Sequence, residues 1–167
     1  MLSPEIQKSS RHSKITGDFA EGLVLYWLSK HGFESARVDH TGIDLIASCP
    51  GFTKDMLGIS VKSRSRVRGS GNWSVSVFND HPKKLDDACR AFGCRPYYAI
   101  VVDADDRIEA FLASSEVFFE YASPGANYFS WKMGASWRAR YAEHHRIVRF
   151  QMAYTTDNWW VTADPNH

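Results

Sequence analysis

Three stretches of the chain predict an α/β fold with a central mixed sheet flanked by helices. Residues 96–102, Pro96-Tyr97-Tyr98-Ala99-Ile100-Val101-Val102, are apolar throughout, as befits a central strand covered on both faces. Residues 43–47 and 57–62 alternate with period two: Ile43, Leu45 and Ala47 face away from Asp44, and Leu57, Ile59 and Val61 face away from Ser60 and Lys62, the pattern of half-buried strands. Leu85, Ala88, Cys89 and Phe92 recur at helical spacing between Asp80, a residue type that starts helices, and Gly93, one that ends them.

In chain order, residues 1–15 are polar and form an N-terminal arm, loose or helical. From about Thr16 to His31, Phe19, Ala20, Leu23, Val24, Leu25, Tyr26, Trp27 and Leu28 cover most of a helical circumference, which predicts a largely buried helix ending at Gly32. Glu21 is out of place on it: Val24, Leu25 and Leu28 stand at i+3, i+4 and i+7, so a carboxylate sits on an aliphatic face and needs a partner. Residues 33–38 read as a strand and Asp39-His40-Thr41-Gly42 as a turn into the Asp44 strand. A second turn at 49–55 leads into the Lys62 strand. Gly69-Ser70-Gly71-Asn72 then turns toward a strand at 73–78, which suggests a small antiparallel unit. Pro82 in the first turn supports the helix after Asp80. Asp103–Asp106 turns the apolar strand back into a strand at 107–112, and Ser114-Ser115-Glu116 opens a helix reaching about Tyr121. The core domain is thus assigned to residues 16–121, with 122–167 an extension packed on it. There Trp131, Trp137 and Tyr141 mark apolar anchors, residues 147–152 read as a late strand, and 157–167 stay unassigned.

At 167 residues and 44% hydrophobic content the chain suffices for one core. A formal charge of +1 excludes little, because a balanced total can hide a basic face. The three cysteines, Cys49, Cys89 and Cys94, are odd in number and make no Cys-x-x-Cys pair, so neither a disulfide framework nor a zinc ribbon is suggested and a reducing, cytoplasmic setting is expected. The opening residues lack the apolar core of a signal peptide, and no window approaches the roughly 20 apolar residues of a membrane helix; a soluble protein with no membrane partner is expected.

The order of elements frames a constellation: Gly17-Asp18-Phe19-Ala20-Glu21 on a helix, Gly42-Ile43-Asp44-Leu45-Ile46-Ala47 on one strand, and Ile59-Ser60-Val61-Lys62 on the next. From Thr16 to Leu112 this resembles the PD-(D/E)xK nuclease superfamily, whose core is the restriction-endonuclease-like three-layer fold. The resemblance implies a DNA endonuclease using Mg2+ or Mn2+. By that resemblance Asp44 and the second acid of the motif would bind the ion, Glu21 would support it, and Lys62 would position or activate the attacking water. Hard oxygen ligands suit magnesium, and an ammonium can offset charge developing on a phosphate. The sequence departs from the pattern at Ser60, which stands where the family has its second acid. Ser60 is then a bystander or a water ligand, and two readings stay open: either Glu21 takes over as the second carboxylate, with the Val61 carbonyl and waters completing the shell, or the fold serves binding after losing catalysis. Dimerisation is common in enzymes of this kind, so a homodimer is an expectation of the resemblance.

Past Lys62, the residues Arg64, Arg66 and Arg68 alternate with Ser63, Ser65 and Val67. A continued strand would line all four cations along one face, a row suited to the phosphates of DNA; the plainer reading is a solvated edge strand. His144 and His145 are expected on different sides of any regular element, and His40 in a turn.

Overall fold

The computed structural model describes residues 8–51, 54–66, 74–104 and 106–156. In chain order the elements are α1 (His12–Lys30), β1 (Glu34–His40), β2 (Ile43–Ser48), β3 (Met56–Ser65), β4 (Ser74–Phe78), α2 (His81–Phe92), β5 (Cys94–Asp103), β6 (Arg107–Ser114), α3 (Ser115–Tyr121), β7 (Ser123–Pro124), β8 (Tyr128–Lys132), α4 (Ala135–Glu143) and β9 (Val148–Ala153). Six strands form the central sheet in the order β1-β2-β3-β5-β6-β9. It is mixed: β3 and β5 run parallel from Met56↔Cys94 to Ser65↔Asp103, with α2 in the crossover between them, and the other pairs are antiparallel.

Helix α1 covers one face, packing Ala20, Val24, Trp27 and Leu28 on Leu45, Leu57, Ile59, Ala99, Val101 and Ala110. On the other face lie α2, α3, α4 and a second sheet, β4-β8-β7. Its centre is Trp131, fully buried and stacked between Phe118 (ring centroids 5.3 Å apart) and Tyr141 (4.2 Å). These are the three layers that the sequence predicts.

Several elements differ from expectation. Helix α1 begins ahead of Thr16 and is not largely buried, because a helix in an outer layer meets only one neighbour; Ile15, Phe19 and Tyr26 are 53%, 46% and 55% exposed. Strand β1 runs on through Asp39 and His40, so the turn before β2 shrinks to Thr41 and Gly42, and the His40 ring meets Phe92 edge-on. Strand β4 does not extend an antiparallel unit with β3. It leaves the main sheet and pairs with β8, from Ser74↔Lys132 to Phe78↔Tyr128. Strand β8 and helix α4 were not legible as elements, since β8 lies in the small sheet and α4 buries only Tyr141. Asp80 precedes α2 as expected, but its carboxylate pairs with Lys84 at 2.6 Å instead of capping the backbone. His144 and His145 do not diverge: they follow α4 in irregular backbone, with rings stacked 5.3 Å apart.

Candidate active site

The site begins where two strands separate. The β2–β3 ladder pairs Ala47 with Leu57, Ile46 with Gly58 and Leu45 with Ile59, and ends there. One residue further, the side chain of Asp44 takes the place of the missing backbone partner: Oδ2 accepts the Val61 N–H at 2.6 Å and the Ser60 hydroxyl at 3.2 Å. A carboxylate suits this position because it satisfies a strand N–H that the fork would otherwise orphan. In an extended strand the N–H and C=O of one residue point to the same side, so the Val61 carbonyl is turned into the same gap. Oδ1 of Asp44 takes no hydrogen bond among the described residues.

Alternation puts Lys62 on the Ser60 face of β3, half-buried and without a salt bridge among the described residues. Burial lowers its pKa below the ordinary lysine value, opposed by Asp44. Glu21 approaches from α1 with 27% of its side chain exposed. Burial raises its pKa and the nearby Asp44 raises it further; Arg37, whose Nε lies 3.8 Å from Glu21 Oε2, works the other way. Asp44 on β2 thus acts electrostatically on both Glu21 on α1 and Lys62 on β3.

The oxygen donors here are of the type that a hard divalent cation takes. Asp44 has an oxygen with no hydrogen bond among the described residues, Val61 a carbonyl, and Glu21 a carboxylate whose charged form Asp44 disfavours, a repulsion that a cation would relieve. Among the described residues no group of three or more His, Cys, Asp or Glu side chains is placed to hold a metal; the expected set, with two carboxylates and a backbone oxygen, is smaller than that.

Two neighbours escaped the sequence. His81, the first residue of α2, brings Nε2 to 3.3 Å from Ser60 Oγ, and its Nδ1 lies 3.3 Å from the hydroxyl of the fully buried Tyr98 on β5. Burial, followed by Lys62, lowers the His81 pKa to about 4 against the pull of Asp44 and Asp80. The helix start at Asp80 was legible, but its aim at Ser60 follows from the crossover into β5, which no local signal encodes.

The arginines behave differently from an open row. Arg64 Nη1 and Arg66 Nη2 both donate to the Ser74 carbonyl, at 3.0 and 3.4 Å, clamping the start of β4. Arg66 is 5% exposed and burial, with Arg64 beside it, lowers its pKa to about 10. Strand β3 is an interior strand, not a solvated edge. Arg68 lies outside the described residues. Cys49, Cys89 and Cys94 are free thiols, and among the described residues no helix is long and apolar enough to cross a membrane.

A mixed sheet opened at a β2–β3 fork and covered by helices on both faces is the restriction-endonuclease-like fold. Among solved structures the chain is similar to Hjc, a Holliday junction resolvase from the archaeal hyperthermophile Archaeoglobus fulgidus, with TM-score 0.53 and 20% identity over 74% of this chain and 88% of that one. A similarity to a bacterial homing endonuclease covers 71% of this chain and 74% of that one, with 19% identity and TM-score 0.46. No family profile matches the chain, and no curated protein matches it in sequence.

Proposed function

We propose that this protein is a divalent-cation-dependent nuclease of the PD-(D/E)xK type, an endonuclease hydrolysing phosphodiester bonds in DNA. The observation that carries the reading is the fork: Asp44 is held by the Val61 N–H at 2.6 Å with its second oxygen uncommitted, beside a second carboxylate and a depressed lysine. Asp44, Glu21 and the Val61 carbonyl would hold Mg2+ or Mn2+. The ion, when bound, supplies charge that polarises the phosphate and acidifies water. Lys62, half-buried and with a lowered pKa, holds the attacking water and is neutral, and so able to accept a proton, in a larger fraction of molecules than an ordinary lysine. Arg64 lies beyond Lys62 on the same face, and although Nη1 is held by the Ser74 carbonyl its charge would still attract the phosphate chain. A reducing, cytoplasmic setting suits the three free thiols, and a homodimer, as the resemblance implies, is checked by sedimentation.

Ser60 favours a second reading, a nuclease-fold module that binds DNA without cutting it. Cleavage separates the two. Plasmid and linear DNA are incubated with the protein in Mg2+ or Mn2+, beside Asp44→Ala and Lys62→Ala. The nuclease reading expects cutting by the parent and losses of about 10²–10⁴-fold in Lys62→Ala, with Asp44→Ala inactive. Equal activity in all three, or none in any condition, removes it.

A further inference from the structure

Ser60, His81 and Tyr98 form a chain of hydrogen bonds that ends on Asp44, and only one order of protons satisfies all of it. Tyr98 is fully buried, and His81 Nδ1 is the partner of its hydroxyl among the described residues. If Nδ1 carried the proton, the hydroxyl of the fully buried Tyr98 would have no acceptor among the described residues, at a cost of about 1–3 kcal/mol. Nδ1 is therefore the acceptor, and the neutral imidazole carries its proton on Nε2. Nε2–H points at Ser60 Oγ at 3.3 Å. The Ser60 hydroxyl accepts that proton's bond and has one proton of its own, which goes to Asp44 Oδ2 at 3.2 Å, an atom that can only accept. Every donor in the chain points toward the carboxylate.

We propose that Ser60 and His81, braced by Tyr98, are positioning residues that stand in for the acid missing at position 60: they clamp Asp44 Oδ2 and leave Oδ1 as the ion-binding oxygen. A second acid beside Asp44 would add a ligand and another negative charge. The relay instead fixes the orientation of the ligand that is there, as hydrogen bonds to metal-ligating carboxylates do elsewhere. It also accounts for a fully buried serine at this position, since a bystander would leave a buried hydroxyl with nothing to do. The relay rests on the nuclease reading only for its purpose; its hydrogen-bond order stands on the geometry.

The test therefore has two arms. The first is the ¹⁵N-imidazole spectrum of the metal-free parent at neutral pH, assigned by loss of the His81 signals in His81→Gln. The Nε2–H tautomer is expected; an Nδ1–H tautomer overturns the relay. In the second arm Mn2+ binding is titrated by calorimetry. Ser60→Ala and His81→Ala are each expected to weaken it about 10–100-fold, Ser60→Thr to restore it to within a few-fold of the parent, and the double variant to be no weaker than Ser60→Ala, because His81 acts through Ser60. Unchanged affinity in Ser60→Ala, losses that add, or no rescue by Ser60→Thr overturn the proposal. A parent that shows the Nε2–H tautomer yet binds no Mn2+ sinks the nuclease reading and the relay's purpose together. Mn2+ bound beside an Nδ1–H imidazole sinks the relay and spares the nuclease reading.

Discussion

Asp44 and Lys62 could be singled out from one sequence because a period-two strand declares which face each side chain takes, and a charge on such a strand is visible as an exception. Glu21 was visible the same way, as an acid among Val24, Leu25 and Leu28. His81 was not, since nothing local distinguishes the first residue of a helix aimed at a strand fork from one aimed at solvent. Its burial has a consequence for stability. With the folded-state pKa lowered from 6.5 to about 4, the unfolded chain binds more protons between those values, so this contribution is fully present above pH 6.5 and is lost as pH falls toward 4. The shift corresponds to at most about 3 kcal/mol. Urea midpoints measured at pH 7 and pH 4 are therefore expected to fall further in the parent than in His81→Gln; parallel losses would show that the imidazole is not held neutral by the fold. Lys62 has the same direction of shift and the opposite use. Cleavage is expected to rise with pH through a midpoint below the ordinary lysine value, and Lys62→Arg, which stays charged, is expected to lose that rise.

Two glycines set how closely the elements around the site approach. Gly42, in the turn before Asp44, has φ 101, and the Lys84 backbone carbonyl fills the space its Cβ would need. Gly58, on β3, leaves room for α2: a Cβ there would stand 2.6 Å from Cys89 Sγ and 3.0 Å from Cys94 Cβ. Gly58→Ala is expected to cost about 1–3 kcal/mol in urea unfolding. Gly42→Ala should cost more, because it adds positive-φ strain to a clash with backbone that cannot rotate away. Both bear on function, since α2 carries His81 to Ser60. The glycine in Gly-x-Asp was read from the sequence as part of a motif; its physical reason, contact with α2, required the tertiary structure. The misjudged α1 has a similar origin. Its composition suits burial all round, yet only one of its faces finds a sheet.

At the scale of the whole molecule, a formed ion site would couple metal to folding. If Asp44 and Glu21 hold a cation, Mn2+ at about 100 times its Kd adds roughly 2.7 kcal/mol, which for a chain of this size is a melting shift of about 5–10 °C. The parent is expected to show that shift and Asp44→Ala none. Equal shifts in both would place the ion elsewhere.

The sequence alone determined the layered α/β class, most strand and helix positions through Asp103, and the charged side chains of the candidate site, because periodicity and turn residues are local properties written in neighbouring positions. Only the tertiary structure decided that β4 defects to a second sheet, that Arg64 and Arg66 are drawn onto Ser74, and that His81 completes the contacts of Ser60. Each of those depends on which strands pair, and pairing is chosen by packing over long separations in the chain, where no short stretch of residues carries the information.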